Sequence, residues 1–281
     1  MAEITAAAVK ALRDETGLPM MDCKKALAEC NGDKQAAVDW LRKQGLRTLE
    51  KRSGRETSFG RMGLYCTLAA SVGAMVELKC ESAPVASNEE FIQLANDLAK
   101  QLALGPGAKT ADELLDQKSP SKPTLTLREQ RDELFNRIRE VFNVGRMVRF
   151  AGPCGGYSHN AGTVSGVLLQ VKGGDDASAK DVCMHVAAMR PKALTIEELD
   201  PTLVAKEREI LTEAARNEGK PENIIAKMVD GRMRNFYAES VLCEQPFVKD
   251  DKQSVGAFAK SKKMELVRFV HWELGDDEPS L

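Results

Sequence analysis

Histidine and cysteine are the residues of this sequence that most directly suggest chemistry, because both can ligate metals or act in catalysis. The three histidines, His159, His185 and His271, lie far apart in the chain. The cysteines never form a C-x-x-C pair; they are Cys23, Cys30, Cys66, Cys80, Cys154, Cys183 and Cys243. Metal sites and disulfide frameworks need paired or clustered spacing, so we expect reduced, mostly buried thiols.

Common enzyme signatures are also missing from the sequence. It has no G-x-x-x-x-G-K-[ST] loop, dinucleotide fingerprint, H-E-x-x-H motif, calcium loop or G-x-S-x-G elbow. His185 lies beside Val186 in a predicted helix, where a structural histidine is commoner than a ligand or base. A triad of residues distant in sequence would escape this search, but we predict no enzyme, cofactor or metal site.

The composition is that of an ordinary globular protein large enough for two or three domains. Of 281 residues, 43% are hydrophobic and 29% charged, and the formal net charge is −2. This balance does not indicate nucleic acid or an anionic membrane as a partner. The start, MAEITAAAVK, lacks the apolar core of a secretory signal, and no run approaches the roughly 18 apolar residues of a membrane helix. We therefore expect a cytoplasmic protein.

Residues 4–45 predict three short helices. Thr5 is positioned to cap the first. In the second, apolar side chains recur at helical spacing and form one stripe, made of Met20, Cys23, Leu27 and Cys30. Gly45 is predicted to end the third helix, and the polar residues 46–60 are predicted to form a linker.

Beyond the linker, the pattern indicates two strands followed by a helix, twice over. Alternation over 61–81, broken near 71–73, predicts an antiparallel hairpin, and further strands are expected at 146–150 and 163–171. Helices are expected after the capping boxes Ser87/Glu90 and Thr126/Glu129, and from Ser178.

The region 201–240 has a different pattern. Two charged amphipathic helices flank Gly219-Lys220-Pro221, a signal for ending one helix and starting the next. This pattern predicts an antiparallel coiled-coil hairpin that projects from the body. The alternation of Val270, Trp272 and Leu274 predicts a closing strand.

Six sequence segments, taken together, are similar to those of one known family. They are LRDETGLPMMDCKKALAECNGD from Leu12 (followed by LRKQG), VELKCES…VASNEEF, YSHNAGTVSGVL with MHVAAMRP, GKPENIIAKMVDGRMRNF, QPFVKD and FVHWELGD. In order and spacing they resemble bacterial elongation factor Ts, the nucleotide-exchange factor for elongation factor Tu.

The resemblance implies an α+β fold with an N-terminal three-helix module like the ubiquitin-associated domain, a two-part α+β core with antiparallel strands, and a protruding antiparallel helical coiled coil. The implied bounds are 1–45 for the GTPase-docking module, 46–60 for the linker, 61–143 for the first core subdomain, 144–199 for the second, 200–240 for the coiled coil and 241–281 for the return to the second subdomain.

The resemblance also implies contact residues. On the module they are Lys10, Arg13, Met20 and Met21; for Met20, packing in the module core is the stronger alternative. In the second subdomain they are Tyr157, His159 and Gly162.

A loop after the first hairpin departs from the family pattern. The family carries Thr-Asp-Phe-Val there, a wedge implicated in displacing magnesium, whereas this chain has Ser82-Ala83-Pro84-Val85. Three interpretations are open. The segment acts through backbone shape and the stiffness of Pro84; the second subdomain and coiled coil carry the exchange; or the chain is a paralogue that binds the GTPase as an interaction or assembly protein without accelerating exchange.

The leading expectation is therefore a guanine-nucleotide exchange factor that promotes release of GDP and magnesium from elongation factor Tu. A homodimer through the core is a further alternative, because some members of the family pair in this way.

Overall fold

The computed structural model describes residues 4–52, 54–219 and 221–276. It combines helices with antiparallel sheet, so the predicted α+β class is confirmed. The chain divides into two compact units. Unit 1 consists of the described residues within Met1–Leu64, Ala74–Arg149 and Leu274–Leu281. Unit 2 consists of those within Tyr65–Gly73 and Phe150–Glu273.

Unit 1 begins with three helices, α1 (Ala6–Thr16), α2 (Met20–Glu29) and α3 (Lys34–Arg52). As predicted, Thr5 caps α1, because its side-chain oxygen accepts a hydrogen bond from the Ala8 N–H. We call α1–α3 the three-helix module. It has a core of its own, formed by Val9, Leu12, Leu18, Cys23, Ala26, Leu27, Ala37 and Leu41.

The prediction that Gly45 ends the third helix was wrong, and so was the linker over residues 46–52. Helix α3 continues through Gly45 to Arg52. Gly45 is buried where α3 packs against α7 (Leu127–Ile138), and a Cβ at this position would overlap the amide oxygen of Asn136. This glycine therefore permits a close helix contact and does not end the helix.

A three-stranded sheet in the order β1-β2-β3 lies largely in unit 1. Its strands are β1 (Phe59–Tyr65), β2 (Val72–Cys80) and β3 (Asn143–Ala151); between β2 and β3 come α4 (Ala83–Ala86), α5 (Glu89–Leu104), α6 (Ala111–Leu115) and α7. Phe91 of α5 packs edge-on against Phe142, with ring centroids 5.4 Å apart. This contact holds α5 against the segment that enters β3.

The two predicted capping boxes had different outcomes. Thr126 caps α7 and exchanges hydrogen bonds with Glu129, which confirms that box. The Ser87/Glu90 box was wrong, because Asn88 caps α5 and accepts a hydrogen bond from the Glu90 N–H. Ser87 ends α4 with ψ at 0°, and an N-cap residue needs an extended backbone.

Unit 2 contains an antiparallel sheet in the order β4-β5-β8, covered by helix α8. Its elements are β4 (Cys154–His159), β5 (Ser165–Gly173), α8 (Asp176–Met189), α9 (Pro201–Asn217), α10 (Glu222–Ser240), β6 (Pro246–Phe247), β7 (Asp250–Ser254), α11 (Val255–Ser261) and β8 (Met264–Glu273). Helix α8 begins before the predicted Ser178, because Asp175 is its N-cap and accepts from the Ser178 N–H.

Helices α9 and α10 pack against each other around a small core of Ala215, Ile225, Val229 and Met233. Gly219, between them, has a φ of 70°, as expected for the residue that ends α9. Lys220, the middle residue of the predicted turn, lies outside the described residues. None of the described helices is long and apolar enough to span a bilayer.

Candidate partner-binding surfaces

The segment Ser82-Ala83-Pro84-Val85, here called the 82–85 segment, follows β2 and starts α4. Ser82 is the extended N-cap residue, and Pro84 lies in the first turn, where its missing N–H needs no partner. Ala83 and Pro84 are exposed, whereas Ser82 and Val85 are half-buried. The segment therefore exposes two small side chains on a stiffened helical turn.

The start of α4 is bonded to residues that follow α7. The Ser82 hydroxyl donates a 2.6 Å hydrogen bond to Glu140 Oε1 and does not cap its own helix. One residue earlier, Glu81 accepts a 2.8 Å hydrogen bond from the Val141 N–H and pairs with Arg55 at 3.0 Å. These bonds fix the entry to the 82–85 segment.

The module residues implied by the resemblance are all exposed. Lys10 and Arg13 lie on α1, and Met20 and Met21 start α2 with 48% and 71% of their surfaces exposed. The interpretation of Met20 as a core residue was wrong, because Leu18 fills that end of the module core and is 7% exposed. The two thioethers are flexible apolar groups, which suit adaptable protein contacts.

Charged side chains join the three-helix module to α7 and the residue after it. Arg42 of α3 pairs with Glu129 at 2.5 Å. Arg139, the residue that ends α7, pairs with Asp22 of α2 at 2.6 Å, and its carbonyl oxygen accepts a 2.7 Å hydrogen bond from Arg52. The module is therefore held within unit 1 from both α2 and α3.

A cavity of about 620 Å³ in unit 2 contains Tyr157 and His159. These residues alternate on β4 and so share one face of the strand. The Tyr157 hydroxyl and His159 Nδ1 lie 3.0 Å apart, within hydrogen-bonding distance. Gly162 lies in the turn after β4, between the lining residues Ala161 and Thr163, with a φ of 74° that favours glycine.

The walls of this cavity combine apolar and charged side chains. Met184 of α8 and Val248 contribute apolar surface. Arg190, the residue that ends α8, pairs with Glu273 at 2.6 Å, and Lys249 supplies a second cation. A concave apolar surface with a few fixed polar groups is the usual form of a binding site.

His185 lies behind the cavity wall and is fully buried. Its Nδ1 accepts a 3.2 Å hydrogen bond from the Val248 N–H, so Nε2 carries the proton that is shared with Gln245 Oε1 at 2.9 Å. Burial lowers the pKa of His185, and the bond to Gln245 opposes this shift. The histidine is thus a neutral structural residue, as the sequence predicted.

The described residues contain no group of three or more histidine, cysteine, aspartate or glutamate side chains arranged for a metal ion. All seven cysteines are free thiols. Burial raises the pKa of Cys66 and Cys154 to about 11 and that of Cys80 to about 12. Burial therefore disfavours the thiolate form that a nucleophile needs at these three positions.

Comparisons with known proteins identify the family. The family model for elongation factor TS matches residues 81–276. A protein named elongation factor Ts from Methylococcus capsulatus is 41% identical over 97% of this chain and 92% of its own length. Those of Hydrogenovibrio crunogenus and Hyphomonas neptunium are 38% and 41% identical, over 97% and 98% of this chain and 92% and 93% of their own lengths. The chain belongs to the elongation factor Ts family.

The match to the elongation factor Ts family includes each surface described above. The family model starts at Glu81, one residue before the 82–85 segment, and covers the cavity in unit 2. The relatives, at 97% of the chain or more, extend the similarity into the three-helix module. The family is one of translation elongation factors, so the resemblance stated from the sequence segments is confirmed.

Several residues of these surfaces were not singled out from the sequence. The cavity residues Arg190, Val248, Lys249 and Glu273 lie in MHVAAMRP, QPFVKD and FVHWELGD, three segments that carry the similarity to elongation factor Ts. Their position in those segments could therefore have identified them as candidate site residues from the sequence. Glu140 had no such signal, because its contact with Ser82 joins positions 58 residues apart.

Proposed function

We propose that this chain is a guanine-nucleotide exchange factor for elongation factor Tu that promotes release of GDP and magnesium during translation elongation in the cytoplasm. Its membership of the elongation factor Ts family over nearly the whole chain carries this proposal. Exchange of this kind requires no covalent chemistry, so the chain acts as a binding protein and not as an enzyme. Neither nucleic acid nor a membrane is part of the proposal.

The physical basis of exchange is differential binding. An exchange protein binds the nucleotide-free GTPase more tightly than the loaded GTPase. The ratio of these two affinities is also the ratio by which the exchange protein weakens nucleotide binding. Each tenfold weakening needs about 1.4 kcal/mol of differential binding energy. Several separate contact surfaces can supply a few such increments, and this chain offers three of them.

The first proposed contact is the three-helix module, which we take to be like the ubiquitin-associated domain. Its docking residues are Lys10, Arg13, Met20 and Met21. The exposure of both methionines supports this role, because a partner can bury exposed apolar side chains only where they are accessible on the surface. We assign GTPase docking to the three-helix module, whose third helix runs to Arg52 and not only to residue 45.

The second proposed contact is the cavity region of unit 2, with Tyr157, His159 and Gly162 as contact residues. The paired Tyr157 and His159 side chains support it, because they form an ordered polar edge to a cavity lined by both apolar and charged side chains. The α9/α10 hairpin is proposed to act as a projecting antiparallel coiled coil that extends the contact. Pairing of two copies through the core is an alternative arrangement of the same chain.

The third proposed contact is the 82–85 segment, at the position of the family's magnesium-displacing wedge. With alanine and proline in place of aspartate and phenylalanine, it would act through the shape of its turn. Pro84 is exposed and stiffens the first turn of α4, which supports this interpretation. The alternative is that unit 2 contributes most of the exchange.

A second candidate function is binding of the GTPase without acceleration of exchange, as an interaction or assembly protein. The substitution of the wedge favours it, since Ala83 brings no charge and Pro84 no aromatic ring. Both candidates require complex formation, and they differ only in the release rate.

One experiment separates these functions. Elongation factor Tu from the same cell is loaded with fluorescent GDP, and release is followed with and without this chain at micromolar concentration. Faster release supports exchange. Co-elution of the two proteins on a sizing column without faster release supports the second candidate, and absence of both effects contradicts each. The elution volume of the chain alone tests the homodimer.

A further inference from the structure

Two of the proposed contact surfaces in unit 1 are bonded to consecutive residues. Arg139 carries the bonds to the three-helix module, through Asp22 at 2.6 Å and Arg52 at 2.7 Å. Glu140, the next residue, accepts the 2.6 Å hydrogen bond from Ser82. A displacement of one residue of this pair must move the other, because a single peptide bond separates their Cα atoms by about 3.8 Å.

The backbone at Arg139 is unusual for a residue with a side chain. Its φ is 67°, in the left-handed region, and its N–H bonds to the Phe135 carbonyl as it ends α7. Glycine would adopt this conformation more easily. Arginine has a side chain that binds Asp22, which glycine lacks. The strained end of α7 therefore carries a contact to α2.

Glu140 binds the 82–85 segment through only one of its two carboxylate oxygens. Its Oε1 accepts from Ser82, whereas Oε2 is buried and has no hydrogen-bond partner among the described residues. A buried carboxylate oxygen without a donor is unfavourable, so this carboxylate depends on the Ser82 bond. Movement of the 82–85 segment is therefore coupled energetically to Glu140, which is covalently joined to Arg139.

The neighbouring residues add a second bridge. Val141 donates its N–H to Glu81, and Glu81 also pairs with Arg55, which follows α3. Residues 139–141, here called the linking segment, thus contact the module on one side and the entry to the 82–85 segment on the other. Cys80 completes this side, because its thiol donates to the Ser82 carbonyl at 3.3 Å.

We propose that the linking segment couples the position of the three-helix module to that of the 82–85 segment, with Arg139 and Glu140 as positioning residues. Docking of the module on the GTPase would thereby set the turn that carries Pro84. As a role in exchange, this inference rests on the proposed function. As a coupling within the free chain, it is independent of it.

The coupling is tested first in the free full-length chain by amide hydrogen exchange. Asp22→Asn removes the ion pair to Arg139, and Arg139→Gly removes the same pair while suiting the left-handed backbone and keeping the carbonyl that binds Arg52. Glu15→Gln is the matched control, because it removes an ion pair with Lys34 inside the module.

We expect both test variants to exchange faster at residues 82–88, by roughly two- to fivefold, since a partly exposed ion pair contributes modestly. The control should leave that segment at the wild-type rate. Unchanged exchange at 82–88 in Asp22→Asn and Arg139→Gly overturns the coupling, whether or not the module itself loosens.

Nucleotide release gives the second measurement. Asp22→Asn and Glu140→Gln are compared singly and together in the fluorescent GDP assay. Coupling predicts that Asp22→Asn slows release severalfold in the wild-type background and has little further effect once Glu140 is replaced. Independent, multiplicative effects contradict it. If the wild-type chain does not accelerate GDP release from elongation factor Tu, the proposed function fails. The hydrogen-exchange result still decides the coupling.

Discussion

The backbone N–H of Val248 donates a 3.2 Å hydrogen bond to Nδ1 of the buried His185. Val248 lines the cavity in unit 2, so a side chain inside the core fixes part of the cavity wall. Gln245 completes the network: its amide nitrogen donates to the carbonyl oxygen of Glu239 at 2.9 Å, near the end of α10. One neutral histidine thus ties the cavity wall and the hairpin to α8.

This network makes the stability of the chain depend on pH in a predictable direction. Burial lowers the pKa of His185 from the ordinary value of 6.5, so the unfolded chain takes up the proton first as the pH falls. The free energy of unfolding should therefore decrease below about pH 6.5, by up to about 1.4 kcal/mol per pH unit until the pKa of the folded state is reached.

Urea unfolding between pH 7.5 and 5.0 checks this prediction. His185→Gln should be less stable than the wild type at pH 7.5 by about 1–3 kcal/mol, because it leaves buried hydrogen-bonding groups unpaired. It should also lose less stability on acidification. His159→Gln is the control, since His159 is exposed and should keep the wild-type dependence. Equal pH slopes for wild type and His185→Gln would contradict the assignment.

The sequence predicted the elements of this fold better than their ends. The Thr126/Glu129 box is a local pattern that the structure contains, whereas of the predicted α2 stripe Cys23 and Leu27 are buried and Met20 is exposed. Gly45 was misread because glycine marks either a helix end or a close contact. Only the position of Asn136 on another helix distinguishes the two.

The residues of the candidate site could be predicted where the sequence resembles the family, as at Tyr157 and His159. That these two side chains share a face follows from the two-residue period of a strand, which the sequence displays directly. The contact of Ser82 with Glu140, in contrast, depends on where α7 ends in space. No local pattern encodes such a distance, so the linking segment required the structure.

The exposed Met21 should affect partner binding without affecting folding. Met21→Ala is expected to weaken binding to elongation factor Tu by about three- to tenfold, because truncation of an interface anchor typically costs about 1 kcal/mol. Its melting temperature should stay at the wild-type value, since Met21 is 71% exposed.

Leu27→Ala provides the opposite case for this comparison. Leu27 is 1% exposed in the module core, and its truncation should lower stability by about 2–5 kcal/mol. Calorimetric titration and thermal melts of both variants are the measurements. A loss of stability in Met21→Ala equal to that of Leu27→Ala would contradict the surface role of Met21.

The cysteines should differ in reactivity according to burial. At pH 8, a thiol with a pKa of about 11, such as Cys66 or Cys154, is only about 0.1% thiolate. Iodoacetamide followed by mass spectrometry should therefore leave Cys66, Cys154 and Cys183, whose pKa values burial raises, unmodified in the folded chain. Unfolding in urea should make all seven reactive. Early modification of Cys183 would contradict the burial of that thiol.

Restoration of the wedge tests what the 82–85 segment contributes. We expect Ala83→Asp with Pro84→Phe to accelerate GDP release by on the order of tenfold, because a phenylalanine ring can bury about 150–250 Å² in a partner. Only a fraction of the corresponding free energy, at about 25 cal/mol per Å², is needed for a tenfold change. Stopped-flow release of fluorescent GDP is the measurement.

The control for the restored wedge is Ala83→Asn with Pro84→Ala, which relaxes the turn without adding charge or a ring. If the native turn acts through the stiffness of Pro84, GDP release from elongation factor Tu should be slower with this control than with the wild type. Equal rates for wild type, control and restored wedge would contradict a role for the segment. The differential binding energy would then have to come from the three-helix module and the cavity in unit 2, where Met21→Ala and changes at Tyr157 would show the larger losses.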